Sequence, residues 1–382
     1  MGTKSEARAG SAVATEGISF KVTPVTGRAP AAERERIMAN PGFGKVFSEH
    51  LATISWDRER GWHDAQVRPY GPIQLDPATS VLHYAQAVFE GLKAFKQGDG
   101  HIAIFRPEAN AARFQRSARR LALPELPERT FIEAIELLVR LDADWVPTAP
   151  EHSLYLRPFM YASEVGLGVK PSAKVEFVLI ASPSGSYFPT GVKPVTVWLS
   201  EEFSRAAPGG TGAAKCGGNY AASLLAQAQA SAQGCDQVVW LDAVEHSAVE
   251  EMGGMNLFFV LGSGSNAQLL TPALTGTLLP GITRDALLTL GADLGYKVEE
   301  GRITAAEWQA GNADGSLTEV FACGTAAVIT PVGAAKSAHG SWTVGDGRPG
   351  KITMRLRQAL VDIQRGAAAD VHRWMHKVAL AG

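Results

Sequence analysis

Residues 209–220 read Gly-Gly-Thr-Gly-Ala-Ala-Lys-Cys-Gly-Gly-Asn-Tyr, and this stretch decides how the rest of the sequence is interpreted. Lys215 stands among small residues, where a ligand can approach the backbone closely and no bulky neighbour shields the amine. A lysine in such a place can form a Schiff base with a carbonyl carbon if its amine is uncharged. The alternative is an ordinary loop lysine. A nucleotide-binding P-loop is excluded, because Lys215 lies between Ala214 and Cys216 and not in a Gly-Lys-Ser or Gly-Lys-Thr sequence.

The sequence after this loop offers a carboxylate beside glycines. An alanine-rich helix is predicted up to about residue 232, and Glu251 then precedes Met-Gly-Gly-Met-Asn at 252–256. The glycines would let a flat ring approach, and a carboxylate beside a pyridine nitrogen keeps that nitrogen protonated. The alternative is a solvated acid, because Glu245 and Glu250 lie close by in the sequence.

Two further stretches could bind an anion through backbone amides. Residues 280–285 (Pro-Gly-Ile-Thr-Arg-Asp) open a predicted helix with Thr283 in the capping position, which leaves free amide donors for a phosphate. A capped helix without a ligand is the alternative. Residues 324–327 (Gly-Thr-Ala-Ala) offer small side chains and exposed amides, or else form a tightly packed strand. Residues 262–264 (Gly-Ser-Gly) do not make a dinucleotide fingerprint, because another strand and not a helix is predicted to follow.

The first half of the sequence supplies candidates for substrate contacts. Tyr155 and Arg157 are two residues apart on a predicted strand, so their side chains share one face and could hold a carboxylate. An exposed arginine on an edge strand is the alternative. Tyr84, Phe89 and Tyr187 could line an apolar pocket, although aromatic residues spaced in this way also occur in ordinary cores.

Hydrophobic periodicity predicts a mixture of helices and strands throughout the chain. A turn at residues 97–100 joins two short strands into a hairpin. Helices are predicted from Pro107 and at 130–145, 283–295 and 351–365. Strands are predicted at 154–161, 175–181, 195–199, 237–241, 255–261 and 317–332.

Length and composition set the broad class. With 382 residues, 46% of them hydrophobic, the chain exceeds the usual size of a single core, so we expect two domains. The formal net charge of -2 gives no reason to expect nucleic acid or an anionic membrane as partner, and a small-molecule ligand fits better. No apolar stretch is long enough to span a membrane, and there is no secretion signal. The three cysteines form no C-x-x-C pair, so we expect no metal and a cytoplasmic protein.

Together these motifs resemble the branched-chain amino acid aminotransferases of pyridoxal-phosphate (PLP) fold type IV, most strongly their actinobacterial branch. The resemblance runs from about residue 20 to near the C-terminus. It is carried by Leu82-His83-Tyr84, Phe89-Glu90-Gly91-Leu92-Lys93-Ala94, Tyr155-Leu156-Arg157-Pro158, residues 209–220, 251–257 and 279–284, and Gly324-Thr325-Ala326.

The resemblance implies a two-domain α/β (α+β) fold like that of D-amino acid aminotransferase, and a homodimer. We expect a disordered tail at 1–17, a small N-terminal α/β domain at 18–185, an interdomain loop at 186–193 and a large PLP-binding domain at 194–382. Animal members carry a C-x-x-C pair where Ala327 and Thr330 stand here, so a thiol switch is not expected. Gly254 replaces a threonine of some relatives, so a side-chain contact there is lost or replaced.

The resemblance also assigns roles to individual residues. Lys215 would carry PLP as a Schiff base, Tyr220 would contact the phenolate oxygen, and Glu251 would bind the pyridine nitrogen. The phosphate would be held by Arg113, the Ile282 and Thr283 amides, and Thr325. The substrate carboxylate would be received by the Thr325 and Ala326 amides with Tyr155, and Arg157 nearby. The side-chain pocket would be lined by Tyr84, Phe89 and Tyr187.

The activity that this implies is a ping-pong transamination between L-leucine, L-isoleucine or L-valine and 2-oxoglutarate. Its products are the branched-chain 2-oxo acids and L-glutamate. One alternative is a related reaction of the same fold type on D-amino acids, amines or aminodeoxychorismate. The other is a small-molecule binding or assembly protein that kept the fold without the catalysis.

Overall fold

The structure is a computed structural model that describes residues 18–185 and 192–380, and it contains two β-sheets with helices packed on them. The elements before residue 186 are β1 (Lys21–Val22), α1 (Ala31–Ala39), β2 (His50–Asp57), β3 (Gly61–Pro69), α2 (Ser80–Tyr84), β4 (Ala87–Phe89), β5 (Leu92–Lys96), β6 (Ile102–Phe105), α3 (Pro107–Arg120), α4 (Glu128–Leu141), β7 (Ser153–Ala162) and β8 (Lys174–Ser184). The predicted tail at 1–17 and most of the predicted loop at 186–193 lie outside the described residues.

The elements after residue 191 are β9 (Val195–Ser200), α5 (Gly217–Ala232), β10 (Gln237–Leu241), β11 (Val249–Met252), β12 (Met255–Leu261), β13 (Gln268–Pro272), α6 (Ile282–Asp293), β14 (Lys297–Gly301), α7 (Ala305–Asp314), β15 (Leu317–Gly324), β16 (Val328–Ser337), β17 (Gly340–Thr343), α8 (Lys351–Arg365) and β18 (Met375–Val378). Short 3-10 turns lie at Ala143–Trp145 and Gly264–Asn266.

The first sheet has the strand order β1-β3-β2-β8-β7-β5-β6-β18, and β4 also pairs with β7. Its pairs are antiparallel except β1 with β3. Helices α3 and α4 contribute apolar side chains at helical spacing, so each presents one buried stripe. Phe114 of α3 and Phe131 of α4 meet Phe177 of β8 in this core.

The second sheet closes on itself. Its order is β11-β10-β9-β16-β15-β12-β13-β14, with β17 beside β16, and β11 also pairs with β12. Six strands therefore form a closed ring of pairings. Apolar side chains pack in one cluster that includes Phe259 and Trp308, and a second cluster joins the sheet to helices α6 and α8. None of the described helices combines the length and hydrophobicity needed to cross a bilayer.

Three expectations are corrected by the structure. Residues 317–332 do not form one strand, because a turn at 325–327 divides them into the hairpin β15–β16. The helix predicted to reach residue 145 ends at Leu141, where a short 3-10 turn follows. The last strand, β18, pairs with β6 of the first sheet, so the end of the chain returns to the half in which it began.

Candidate active site

Lys215 lies at the junction between the two halves of the chain, just before α5. Its carbonyl accepts a hydrogen bond from the Phe89 amide at 3.0 Å, and Val88 and Cys216 form an isolated antiparallel bridge. The Lys215 amide donates to the Ser117 hydroxyl at 2.9 Å, which ties the loop to α3. The backbone at Lys215 is therefore held from both sides.

A side-chain clamp fixes the glycine-rich loop that precedes this lysine. The amide nitrogen of Asn219 donates to the carbonyls of Thr211 and Ala214, at 2.9 and 3.0 Å. Its oxygen accepts from the Thr211 hydroxyl at 2.6 Å. Because Asn219 is buried on the first turn of α5, these bonds connect the loop rigidly to the helix.

The Lys215 amine faces aromatic groups. Nζ donates to the Tyr220 hydroxyl at 2.9 Å and lies 4.8 Å from the centre of the Phe89 ring. The rings of Phe89 and Tyr220 are 4.9 Å apart. The lysine is half-buried, so its amine is reached from one side and walled on the other.

Glu251 is a buried carboxylate and not a solvated acid, since it is only 1% exposed. Its Oε1 accepts from the Leu279 amide at 2.6 Å and from the Asn256 side chain at 3.1 Å. Its Oε2 lies 2.9 Å from Nε of Arg205. Burial raises the pKa of Glu251 to about 7, and the positive charge of Arg205 opposes this rise.

These residues fit a flat, protonated ring. Among the described residues, no group donates a hydrogen bond to Oε2 of Glu251, so a buried acceptor is available for a ring N–H. A side chain at Gly254 would meet the Tyr220 ring at 3.3 Å, so the glycine leaves that face of the tyrosine open. The donors and acceptors between Lys215, Tyr220 and Glu251 therefore suit PLP.

Arg113 of α3 is buried and already paired with a carboxylate. Its Nε and Nη2 each donate to Glu90, both at 2.7 Å, and Nη1 donates to the Pro280 carbonyl at 3.2 Å. Burial alone would lower the pKa of Arg113, but Glu90 more than offsets this, and the pKa is raised. The guanidinium thus stays charged beside the segment that opens α6.

Helix α6 begins one turn position earlier than expected. Gly281 is its N-cap and Ile282 its first residue, so Thr283 lies inside the helix and does not cap it. The amides of Ile282 and Thr283 have no partner within the helix, because the first turn always leaves its donors free. A side chain at Gly281 would collide with the Asn256 oxygen, so only glycine fits there. The free amides form a phosphate site in which Arg113 is the nearby cation.

Thr325 and Ala326 lie in the turn between β15 and β16 and are partly exposed, which excludes a tightly packed strand at this position. The ammonium of Lys93 donates to the Ala326 carbonyl at 2.7 Å. This bond holds the turn against the first sheet.

Tyr155 and Arg157 lie on the same face of β7, as the spacing predicts. Arg157 donates to the Tyr155 hydroxyl at 2.9 Å, and its guanidinium carbon lies 4.8 Å from the centre of the Phe89 ring. Strand β7 is an interior strand, so the edge-strand alternative is wrong. A side chain at Gly91 would collide with the Tyr155 hydroxyl, and the edge of Phe43 contacts the Tyr155 ring at 5.0 Å.

The structure does not bring every predicted residue together. Tyr84, on α2, is 40% exposed, and its hydroxyl donates to the Leu167 carbonyl at 2.5 Å. Within the described residues its contacts connect it to His83 and Leu167, and not to the group around Lys215. Tyr187 lies outside the described residues.

Several residues of the site were not predicted as such. Glu90 and Lys93 lie within the motif that carries Phe89, but nothing in that motif names their partners. Arg205, Ser117 and Phe43 gave no signal in the sequence, because each is identified only by a contact with a residue far away along the chain.

The nearest arrangement to a metal-ligand set in the described residues is Glu49, His50 and Asp142. Both ring nitrogens of His50 are engaged within the protein. Nδ1 contacts Asp142 at 2.6 Å, and Nε2 accepts from the Val25 amide at 3.0 Å. This cluster anchors residues 25–29 and offers no free imidazole nitrogen.

Comparisons with known proteins agree with this geometry. The sequence pattern of the amino-transferase class IV family matches residues 87–335. The branched-chain-amino-acid aminotransferase of Mycolicibacterium smegmatis is 62% identical over 94% of this chain and 98% of its own length. The probable branched-chain-amino-acid aminotransferase of Streptomyces coelicolor is 61% identical over 91% of this chain and 95% of its own.

Solved structures are similar as well. The branched-chain amino acid aminotransferase of Escherichia coli superposes with a TM-score of 0.72 at 29% identity, covering 87% of this chain and 100% of that one. A second such enzyme, from T.th., complexed with N-(5'-phosphopyridoxyl)-L-glutamate, gives 0.67 at 29% identity, covering 86% and 99%. Its complex with 4-methylvaleric acid gives 0.69 at 29% identity, with the same coverage. This chain therefore belongs to the branched-chain-amino-acid aminotransferases of amino-transferase class IV.

Proposed function

We propose that this protein transfers the amino group between L-leucine, L-isoleucine or L-valine and 2-oxoglutarate, with PLP held by Lys215. The observation that carries the proposal is the arrangement of a half-buried lysine amine on Tyr220 with the buried carboxylate of Glu251 nearby. The two complexes of the T.th. enzyme, one with a phosphopyridoxyl-glutamate and one with a branched carboxylic acid, support both substrates.

PLP, when bound, supplies an aldehyde that takes up the amino group and a ring that accepts electrons. Glu251 would bind the ring nitrogen, and its negative charge would keep that nitrogen protonated. Tyr220 would hold the phenolate oxygen. Arg113, Thr325 and the amides of Ile282 and Thr283 would bind the phosphate.

Lys215 has two tasks in each half-reaction. It first holds the cofactor, and once the substrate amine has replaced it, its freed amine removes the proton from the substrate Cα. The contact at 2.9 Å with the Tyr220 hydroxyl keeps this amine beside the ring position. The second half-reaction uses the same groups in reverse, so the two substrates bind in turn.

The pocket must accept an aliphatic side chain and the acidic chain of glutamate. Phe89 and Phe43 offer apolar surface near Tyr155 and Arg157. Arg113 pairs with Glu90 and Arg205 with Glu251, whereas the guanidinium of Arg157 has no carboxylate partner among the described residues. Arg157 is therefore assigned to a substrate carboxylate, together with Tyr155 and the amides of Thr325 and Ala326.

Placement of Tyr84 and Tyr187 on the pocket wall is part of the same proposal, as are a homodimer in the cytoplasm and a domain boundary at 186–193. Exposed apolar side chains support the dimer: Leu224 and Leu225 on α5, and Val165, Leu167 and Val169 between β7 and β8. Light scattering on the purified protein tests it, with twice the monomer mass expected.

The function is tested by comparing initial rates with L-leucine, D-alanine and 4-amino-4-deoxychorismate, each with PLP and the matching acceptor. L-leucine with 2-oxoglutarate should be fastest, and Lys215→Ala should abolish turnover. Faster reaction of D-alanine or the chorismate derivative contradicts the substrate assignment. A sample that gains no absorbance from added PLP contradicts the cofactor assignment.

A further inference from the structure

Lys93 of β5 is a buried lysine, only 6% exposed, that the reaction described above does not use. Its ammonium donates to the Ala326 carbonyl at 2.7 Å, across the junction between the first sheet and the β15–β16 turn. A buried ammonium is costly unless it makes hydrogen bonds, so this contact is the reason that the turn and the strand stay together.

The position of Lys93 in the sheet places it beside the substrate residues. Lys93 and Tyr155 are direct partners in the antiparallel pairing of β5 with β7, so their side chains point to the same face. Arg157, two residues further along β7, shares that face. Three side chains of one sheet face are thus directed at the turn that contains Thr325 and Ala326.

The surroundings of Lys93 are rich in positive charge. It lines a small cavity with Arg357 and Arg365 of α8, where Glu151 pairs with Arg357 at 2.8 Å. Burial, followed by the charge of Arg357, lowers the pKa of Lys93 to about 8. At neutral pH the lysine therefore still carries most of its charge, and it points at a backbone carbonyl.

We infer that Lys93 is a positioning residue that holds the 325–327 turn against Tyr155 and Arg157 and thereby shapes the subsite for the substrate carboxylate. This inference rests on the proposed function, in which the Thr325 and Ala326 amides receive that carboxylate. It differs from a cofactor role, because Lys93 contacts the turn on the side of the Ala326 carbonyl.

Lys93→Met removes the ammonium and keeps most of the apolar stem. We expect KM for both L-leucine and 2-oxoglutarate to rise about tenfold, with kcat changed less than about twofold and the absorbance spectrum of bound PLP unchanged. An equilibrium titration of the holoenzyme with 4-methylvalerate, a carboxylate without an amine, should show a Kd about tenfold higher. Lys93→Gln, whose side chain is shorter, is made alongside so that a folded variant is available.

Lys96→Met is the matched control, because Lys96 ends the same strand and lines a different surface groove with Glu35 and Asp144. It should keep the parent values. A folded Lys93 variant with the parent KM and the parent Kd for 4-methylvalerate overturns the inference, and so does one that loses PLP instead. If the parent protein itself fails to transaminate L-leucine with 2-oxoglutarate, the proposed function is wrong; an active parent with unaffected Lys93 variants refutes only the role of Lys93.

Discussion

Around Lys215 the buried charges are arranged in pairs, and each pair has a different task. Glu90 neutralises Arg113 beside the opening of α6, and Arg205 faces Glu251 at the other end of the site. Because a buried charge without a partner is strongly destabilising, these pairs allow charged groups to remain inside the protein. Arg157 is left to meet an anion that arrives with the substrate.

Glu251→Gln tests the carboxylate at the scale of one residue. Glutamine keeps the size of the side chain but cannot supply the negative charge that would hold the ring nitrogen of PLP protonated. We expect the rate of the half-reaction with L-leucine to fall about 100-fold, measured by single-turnover absorbance.

Glu250→Gln is the control for this variant, since Glu250 is the neighbouring buried acid and accepts a hydrogen bond from the Thr277 hydroxyl. Its rate should stay within about twofold of the parent. Equal rates for the Glu251 variant and the parent protein would rule out a charge role for this carboxylate.

Sequence reasoning predicts the ends of these contacts better than the contacts themselves. Lys215 and Glu251 were predicted because unusual glycine-rich surroundings mark them, and the family to which the motifs pointed is confirmed. Arg205 and Ser117 could not be predicted, because a salt bridge or a hydrogen bond between distant residues exists only after the chain has folded.

At the scale of elements, the glycine-rich loop is the most constrained segment near the site. Asn219 clamps it from α5, and Arg205 donates to the carbonyls of Gly212 and Thr277. The close approach of Gly212 to Thr277 brings the loop against the segment that leads to α6. The position of Lys215, three residues later, depends on this approach.

Gly212→Ala tests the packing of the loop. The new Cβ would collide with the Thr277 carbonyl oxygen and lie only 2.5 Å from its Cα, so backbone must move. We expect a loss of about 2 kcal/mol in stability, and a midpoint of thermal unfolding about 4 °C lower. PLP occupancy, read from the absorbance of the bound cofactor, should also fall.

The same substitution at Gly98, in the hairpin between β5 and β6, provides the comparison, because a side chain there meets no atom within 4 Å. That variant should unfold within about 1 °C of the parent. Identical midpoints for the two variants would mean that the loop tolerates a side chain, contrary to the contact described.

Elements with a clear local pattern were predicted correctly and the divided ones were not. The 97–100 hairpin and the helix at Lys351–Arg365 follow from turn residues and hydrophobic spacing, which are properties of the segment itself. Residues 317–332 are apolar on both sides of a turn of small residues, so nothing local indicates where the strand stops. Contact with Lys93 from the other half holds that turn.

At the scale of the whole molecule, the two halves are connected by more than the chain between them. Strand β18 pairs with β6, and Phe95 and Phe105 of the first sheet belong to the apolar cluster of α6 and α8. His376 of β18 contacts Glu108 of α3 at 2.9 Å and Glu136 of α4 at 2.6 Å. The end of the chain thus fastens the helices that cover the first sheet.

This fastening should depend on pH. Burial alone would lower the pKa of His376, but Glu136 and Glu108 more than offset it, so the pKa is raised above 6.5. A raised histidine pKa contributes stability below about pH 6.5 that is lost as the pH rises through the folded-state value. His376→Gln should therefore lower the urea midpoint at pH 6, by the equivalent of under about 1 kcal/mol because water screens the pair, and change it little at pH 9.

His101→Gln, in the exposed β5–β6 hairpin, should show no comparable difference between the two pH values. A His376 variant that is destabilised equally at pH 6 and pH 9 would show that packing and not charge fastens β18. The return of β18 could not be predicted, since a four-residue strand carries too little pattern to indicate its partner.

The central claim is that PLP is bound covalently to Lys215. Borohydride reduction of the holoenzyme fixes the bond between cofactor and lysine, and mass analysis of the digested protein then locates it. We expect the phosphopyridoxyl label on the peptide that contains Lys215. A label on Lys93, the other lysine close to the site, or on any other residue, or no label at all, would contradict the account.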